Sequence, residues 1–134
     1  MKDKVFIDTN ILVYAFAENG EKCQTVKKRL DSTIEPFAVS TQVLNEFYSA
    51  MSKHKIDHLQ IVSAVDEIIS FCEVTSVSLQ IVKKAYAVKE RYGFSYWDSL
   101  ILATALESGC SQIFSEDMND GQIIDGTLKI INIL

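Results

Sequence analysis

Four acidic residues stand where side chains could do chemistry. Asp8 follows the apolar run Val5-Phe6-Ile7 and leads into Thr9-Asn10. Glu46 lies in a helical stretch beside Phe47, Asp98 comes after Ser95-Tyr96-Trp97, and Asp117 sits within Ser115-Glu116-Asp117-Met118-Asn119-Asp120-Gly121. Each has an ordinary explanation by itself. Asp8 suits a helix N-cap, and Ser95 with Asp98 suits a capping box. Glu46 suits a solvated helix face, although no Lys or Arg stands four residues away to pair with it. The acidic heptapeptide suits a turn and lacks the ligand spacing of an EF-hand. Taken together the four read differently. Bare carboxylates sharing one pocket repel and raise each other's pKa, so the cluster calls for a cation. Oxygen-only ligands select Mg²⁺ or Mn²⁺ over zinc, and His54 and His58, around a helix junction, are read as surface residues. Such ions activate water and neutralise a scissile phosphate, which is the chemistry of phosphodiester hydrolysis.

The elements that must position these acids are legible in outline. Strands are expected at Lys4–Ile7, Phe37–Val39, Cys72–Thr75, Ile113–Phe114 and Lys129–Leu134. Helices are expected at Ile11–Phe16, Lys22–Leu30, after Ser40 or Thr41, at His58–Phe71, from Ser78 to Gly93, and from Ser95 to Ser108. Strands alternating with helices predict an α/β domain with a mainly parallel sheet. In such sheets ligands gather beyond the carboxyl ends of the strands. Asp8 ends the first strand and Asp117 lies past the fourth. If the order is 3-2-1-4-5, those strands are neighbours and the two carboxylates face each other. The helix bearing Asp98 is apolar on nearly every side, hence buried, and Asp98 shares a face with Ile101, Leu102 and Ala105.

The segments Val5 to Leu12, Glu46, Ser95 to Ile101 and Ser115 to Gly121, in that order, resemble a PIN domain, in particular the VapC-type toxin nuclease of toxin–antitoxin pairs. The resemblance spans essentially the whole chain. It implies a single nuclease domain over residues 1–134, a three-layer α/β/α sandwich with a mainly parallel five-stranded sheet, and a Mg²⁺- or Mn²⁺-dependent endoribonuclease. By motif it assigns catalysis to Asp8, Glu46, Asp98 and Asp117. Asp8, Asp98 and Asp117 would hold metal, and Glu46 would bind metal or orient the attacking hydroxide. Thr9, Asn10 and Ser115 would supply an auxiliary hydroxyl or amide, and Asp120 an auxiliary acid. It also implies an RNA substrate, a cognate antitoxin and a homodimer. An RNA track would draw on Lys53 and Lys55, or on Lys83, Lys84, Lys89 and Arg91, although such charges usually form a solvated helix face. Tyr96 and Trp97, able to stack on a base, are read as packing residues at a buried helix start.

Composition sets the outer limits. With 134 residues, 48% apolar and 23% charged, the chain fits one globular domain; one proline and five glycines leave no flexible linker. Its longest apolar stretch, Ile11 to Ala17, is far short of the ~20 residues that span a bilayer. Asp8 arrives too early for a secretory signal. A net charge of −5 argues against a general nucleic-acid coater but not against an enzyme that touches nucleic acid locally. Three cysteines without a CxxC pair read as reduced thiols in the cytoplasm. Two other functions stay open. One is a phosphatase with Asp8 as nucleophile, resembling haloacid dehalogenases, although their Asp-x-Asp is here Asp8-Thr9-Asn10. The other is a PIN-like scaffold kept as a non-catalytic binding module.

Overall fold

Val5, Phe6 and Ile7 are completely buried, as expected of a strand covered on both faces of a parallel sheet. They form β1 (Lys4–Ile7) at the centre of the structure, a computed structural model that describes residues 3–17 and 20–134. The elements that follow are α1 (Thr9–Ala17), α2 (Glu21–Ser32), β2 (Phe37–Ser40), α3 (Thr41–Lys53), α4 (His58–Phe71), β3 (Cys72–Thr75), α5 (Leu79–Tyr92), α6 (Tyr96–Glu107), β4 (Cys110–Phe114), β5 (Ile123–Ile124) and β6 (Leu128–Ile131). The sheet order is β3-β2-β1-β4-β6-β5, parallel throughout except for the antiparallel β5–β6 pair. β1 therefore lies between β2 and β4, which is the neighbour relation that Asp8 and Asp117 require.

The sheet has six strands, one more than the sequence suggests. The addition is β5, a two-residue strand paired back on β6 through Asp125 (φ 51°) and Gly126 (φ 71°). Thr127 N–H donates to the Ile124 carbonyl at 3.1 Å across that turn. Asp-Gly with both residues at positive φ is the favoured turn of a tight hairpin.

The sheet is the middle layer of an α/β/α sandwich. Helices α1 to α4 pack in one group, α1 against α2 and α3, and α3 against α4; α5 packs on α6. Local chemistry fixes where the helices start. Ser40, Asp57, Ser78 and Ser95 each cap a helix by accepting a backbone N–H. Because Ser40 is both the last residue of β2 and the cap of α3, no loop separates the sheet from the helix carrying Glu46. Helix α6 is buried continuously from Ser99 to Ala105, so the core clamps its middle and leaves its first turn and its last residues free. Among the described residues no helix is long and apolar enough to cross a membrane.

Candidate active site

Asp8 is the joint between β1 and α1, and it is anchored from three directions. Its N–H donates to the Phe114 carbonyl at 3.0 Å, which ties it to the end of β4. Oδ1 accepts from the Thr9 N–H at 2.7 Å, and Oδ2 accepts from the Ser115 hydroxyl at 2.8 Å. This is not ordinary capping, which would engage the second or third N–H of the helix. The carboxyl is 6% exposed. Burial pushes its pKa up to about 6, the Ser115 and Thr9 hydrogen bonds oppose the rise, and the charges of Asp98 and Glu46 add to it.

Glu46 faces Asp8 from α3, and donors occupy both of its oxygens. The Thr9 hydroxyl donates to Oε1 at 2.7 Å, and Gln42 Nε2 donates to Oε2 at 3.0 Å. The same Gln42 group donates to the Trp97 carbonyl at 3.2 Å, linking α3 to the first turn of α6. Sequence reasoning missed Gln42, although its position four residues before Glu46 places the two side chains together on a helix. Asp98 donates its N–H to the Ser95 hydroxyl at 3.1 Å, as the capping reading predicts. Its carboxyl is half-buried. Burial raises its pKa against a Ser95 hydrogen bond, and the charges of Asp117 and Glu46 raise it further.

Asp117 is exposed on the segment after β4, which buried Met118 pins to the core. The Asn10 amide donates to its Oδ2. Neighbouring Glu116 turns elsewhere, accepting from the Tyr14 hydroxyl at 2.6 Å and from Lys22 at 3.0 Å; these donors lower its pKa. Asp120 is not brought to the other acids. Its Oδ1 accepts from the Asn132 N–H at 2.9 Å, so its contact is with the chain after β6. Ser115 is fully buried and lies behind Asp8.

Asp8, Glu46, Asp98 and Asp117, with Thr9 and Asn10, line one open cavity of about 400 Å³. None of the four acids enters a salt bridge among the described residues. A larger cavity of about 680 Å³, lined by Phe16, Leu30, Phe37 and Phe71 among others, shares no residue with them. Size therefore does not pick out the site; the convergence of carboxylates does. Lys53 and His54, exposed at the end of α3, border the acid cavity, whereas His58 Nδ1 lies 2.9 Å from the Tyr48 hydroxyl. On α5, Lys84 pairs with Glu107, Lys89 donates to the Phe94 carbonyl, and Arg91 lies 3.7 Å from Asp125. Trp97 departs from expectation. It is 62% exposed, because the buried part of α6 begins only at Ser99.

Among the described residues no three Asp, Glu, His or Cys side chains close into a ready metal cage. The donor set nevertheless fits a hard divalent ion. Mg²⁺ keeps several of its waters and needs only one or two protein carboxylates, with substrate phosphate completing the shell. An open cavity ringed by unpaired carboxylates meets that demand; zinc would want nitrogen or sulfur.

The family model described as "PIN domain" matches residues 5–119. No curated protein sequence matches significantly. Among solved structures, a toxin–antitoxin complex from Klebsiella pneumoniae is similar at 21% identity, covering 97% of this chain and 98% of that one, with a TM-score of 0.74. DNA-bound VapBC from Salmonella typhimurium is similar at 19% identity over 98% and 99% of the two chains, with a TM-score of 0.73. Mycobacterium tuberculosis VapC20, described as a sarcin-ricin loop cleaving toxin, is similar at 19% identity over 84% and 89%, with a TM-score of 0.72.

Proposed function

The chain belongs to the PIN domain family, and from that premise we propose that it is a Mg²⁺- or Mn²⁺-dependent endoribonuclease, the toxin of a toxin–antitoxin pair. One observation carries the reading: four carboxylates from four separate segments line a single cavity, and none of them forms a salt bridge among the described residues.

In this reading Asp8, Asp98 and Asp117 hold the ion, directly or through water. Bound there, the ion would acidify a water molecule and neutralise charge building on the scissile phosphate. The chain's own groups do the positioning. Ser115 and Thr9 hold Asp8 through both oxygens, and Asn10 holds Asp117. Glu46, fixed by Thr9 and Gln42, retains a free lone pair on each oxygen and orients the attacking water by accepting its proton. Asp120 accepts from the Asn132 N–H and does not line the cavity, so no step is routed through it.

RNA is the proposed substrate, and the whole chain is taken to act as one nuclease domain. The similarity to the Klebsiella pneumoniae toxin–antitoxin complex supports a cognate antitoxin as partner. The family resemblance extends the proposal to a homodimer. Buried, unpaired Cys23, Cys72 and Cys110 suit a reducing cytoplasm. Family membership leaves the phosphatase reading without support.

The test is cleavage of cellular RNA with Mg²⁺ or Mn²⁺ and then with EDTA, using the parent chain, Asp8→Asn and Asp98→Asn. The expected result is metal-dependent cleavage by the parent and a loss of about 100-fold or more in each variant, typical for removing a charged group from such a site. Cleavage that survives chelation would remove the metal from the mechanism. RNA binding without cleavage under any metal would favour the non-catalytic module.

A further inference from the structure

Glu46 borders two cavities, and the second contains none of the other acids. It holds about 480 Å³, and its walls include Gln42, Asn45, Val77, Trp97 and Leu100. The two cavities follow one helix face. On α3, Gln42, Asn45 and Glu46 line the second cavity, while Glu46, Ser49, Ala50 and Lys53 line the first. Positions recurring every three or four residues share a face, so the cavities are successive parts of one groove about 16 Å long from Gln42 to Lys53.

Trp97 forms the apolar wall at the far end of that groove. Its indole is 62% exposed yet oriented. Tyr96 meets it edge to face with centroids 5.1 Å apart, and Tyr96 in turn lies 5.8 Å from Tyr86. Gln42 Nε2 bridges the Trp97 carbonyl and Glu46, so one amide ties the aromatic wall to the acid site. Asn45 is exposed and makes no side-chain hydrogen bond among the described residues, leaving its amide able to meet a polar edge. A held aromatic face beside a free amide is what an unpaired nucleobase needs, one surface for stacking and one for its edge.

We propose that this second cavity is a nucleobase subsite: a base beside the scissile phosphate stacks on Trp97 with its edge toward Asn45, so the RNA is single-stranded where it is cut. The inference rests on the nuclease reading of the acid cavity. Lys53, at the opposite end of the groove, is placed to meet backbone phosphate.

Trp97 is the only tryptophan in the chain, so its fluorescence reports the stack directly. The Asp8→Asn protein in Mg²⁺ is titrated with a short single-stranded RNA of mixed sequence and with a blunt duplex of the same sequence. The single strand is expected to quench the fluorescence saturably, and the duplex is not. In the same background, Trp97→Ala should weaken binding of a dye-labelled strand by about 5- to 150-fold, and Trp97→Phe should restore most of it. In the otherwise native chain, Trp97→Ala should raise KM more than it lowers kcat. Unquenched fluorescence with unchanged RNA affinity, while the native chain still cleaves RNA, overturns the subsite and leaves the nuclease standing. Fluorescence that follows protein concentration alone, with Trp97→Ala sedimenting as a smaller species, means that a second copy covers the indole, and this also overturns it. Failure of every form to bind or cut RNA removes the nuclease reading and the subsite together. Should Trp97→Ala not fold, the direct quench and Trp97→Phe still decide.

Discussion

Replacing Asp8 with Asn should stabilise the metal-free protein while removing the activity proposed for it. Burial, with the charges of Asp98 and Glu46 adding to it, moves this carboxyl from an ordinary 3.8 up to about 6 despite two hydrogen bonds that favour the anion. The folded state thus holds the proton more tightly than the unfolded chain. Stability from this group is fully present below about pH 4 and is lost as pH rises through about 6. The difference corresponds to ~3 kcal/mol of destabilisation at pH 7. Asn removes the charge and keeps the shape. Its Oδ1 accepts from the Thr9 N–H, and its Nδ2 donates to the Ser115 oxygen once that hydroxyl rotates.

The expected gain for Asp8→Asn is therefore about 1–3 kcal/mol at pH 7, shrinking towards zero near pH 4, where Asp8 is neutral in both states. For a chain of this length each kcal/mol moves Tm by roughly 3–4 °C. Urea and thermal unfolding in EDTA at pH 4, 5, 6 and 7 measure the gap. Adding Mg²⁺ should narrow it, because an ion that binds only the folded parent stabilises that form. A variant no more stable than its parent at pH 7, or a gap that ignores pH, would show that the buried carboxyl is not held against its preference.

The other residues give sharper contrasts. Ser115→Ala deletes a hydrogen bond that lowers the Asp8 pKa. The acidic limb of the rate–pH profile at fixed Mg²⁺ should therefore move to higher pH; an unmoved or lowered limb refutes the assignment. Asp120→Asn keeps an oxygen for the Asn132 N–H, so stability should stay within ~0.5 kcal/mol and cleavage near parental. A loss matching that of Asp117→Asn would return Asp120 to the site.

How much of this was legible in the sequence depended on what surrounds each residue. Asp8 and Asp98 stand at sharp boundaries, one ending an apolar strand and the other opening an apolar helix, so burial of their neighbours dictated where they had to be. The parallel strands announced themselves as short apolar runs between helices. β5 did not, since two residues carry no alternation; only Asp125-Gly126 marked the hairpin, and that signal lies in turn chemistry. Asp120 parts from Asp117 because residues of an acidic turn diverge according to which backbone groups need a partner, and Asn132, just past the neighbouring strand β6, supplies one for it. Trp97 was misjudged because a helix buried along most of its length was taken as buried from its first residue, when that first turn projects past the core.

Among the described residues the four cavity acids form no salt bridge, in contrast to four other carboxylates of the chain. Glu73, Glu107, Glu116 and Asp125 each have a Lys or Arg within 4.0 Å, whereas Asp8, Glu46 and Asp117 are met by hydroxyl and amide donors. Glu116 and Asp117 are adjacent in sequence and fall on opposite sides of this division. A cation would cancel a carboxylate's charge; a neutral donor orients it and leaves the charge in place. Burying a carboxylate without neutralising it costs folding stability, as the pKa values of Asp8 and Asp98, raised by burial first and by neighbouring acids second, indicate. What argues for an external cation is convergence: four acids from four segments meet at one cavity, and none forms a salt bridge among the described residues.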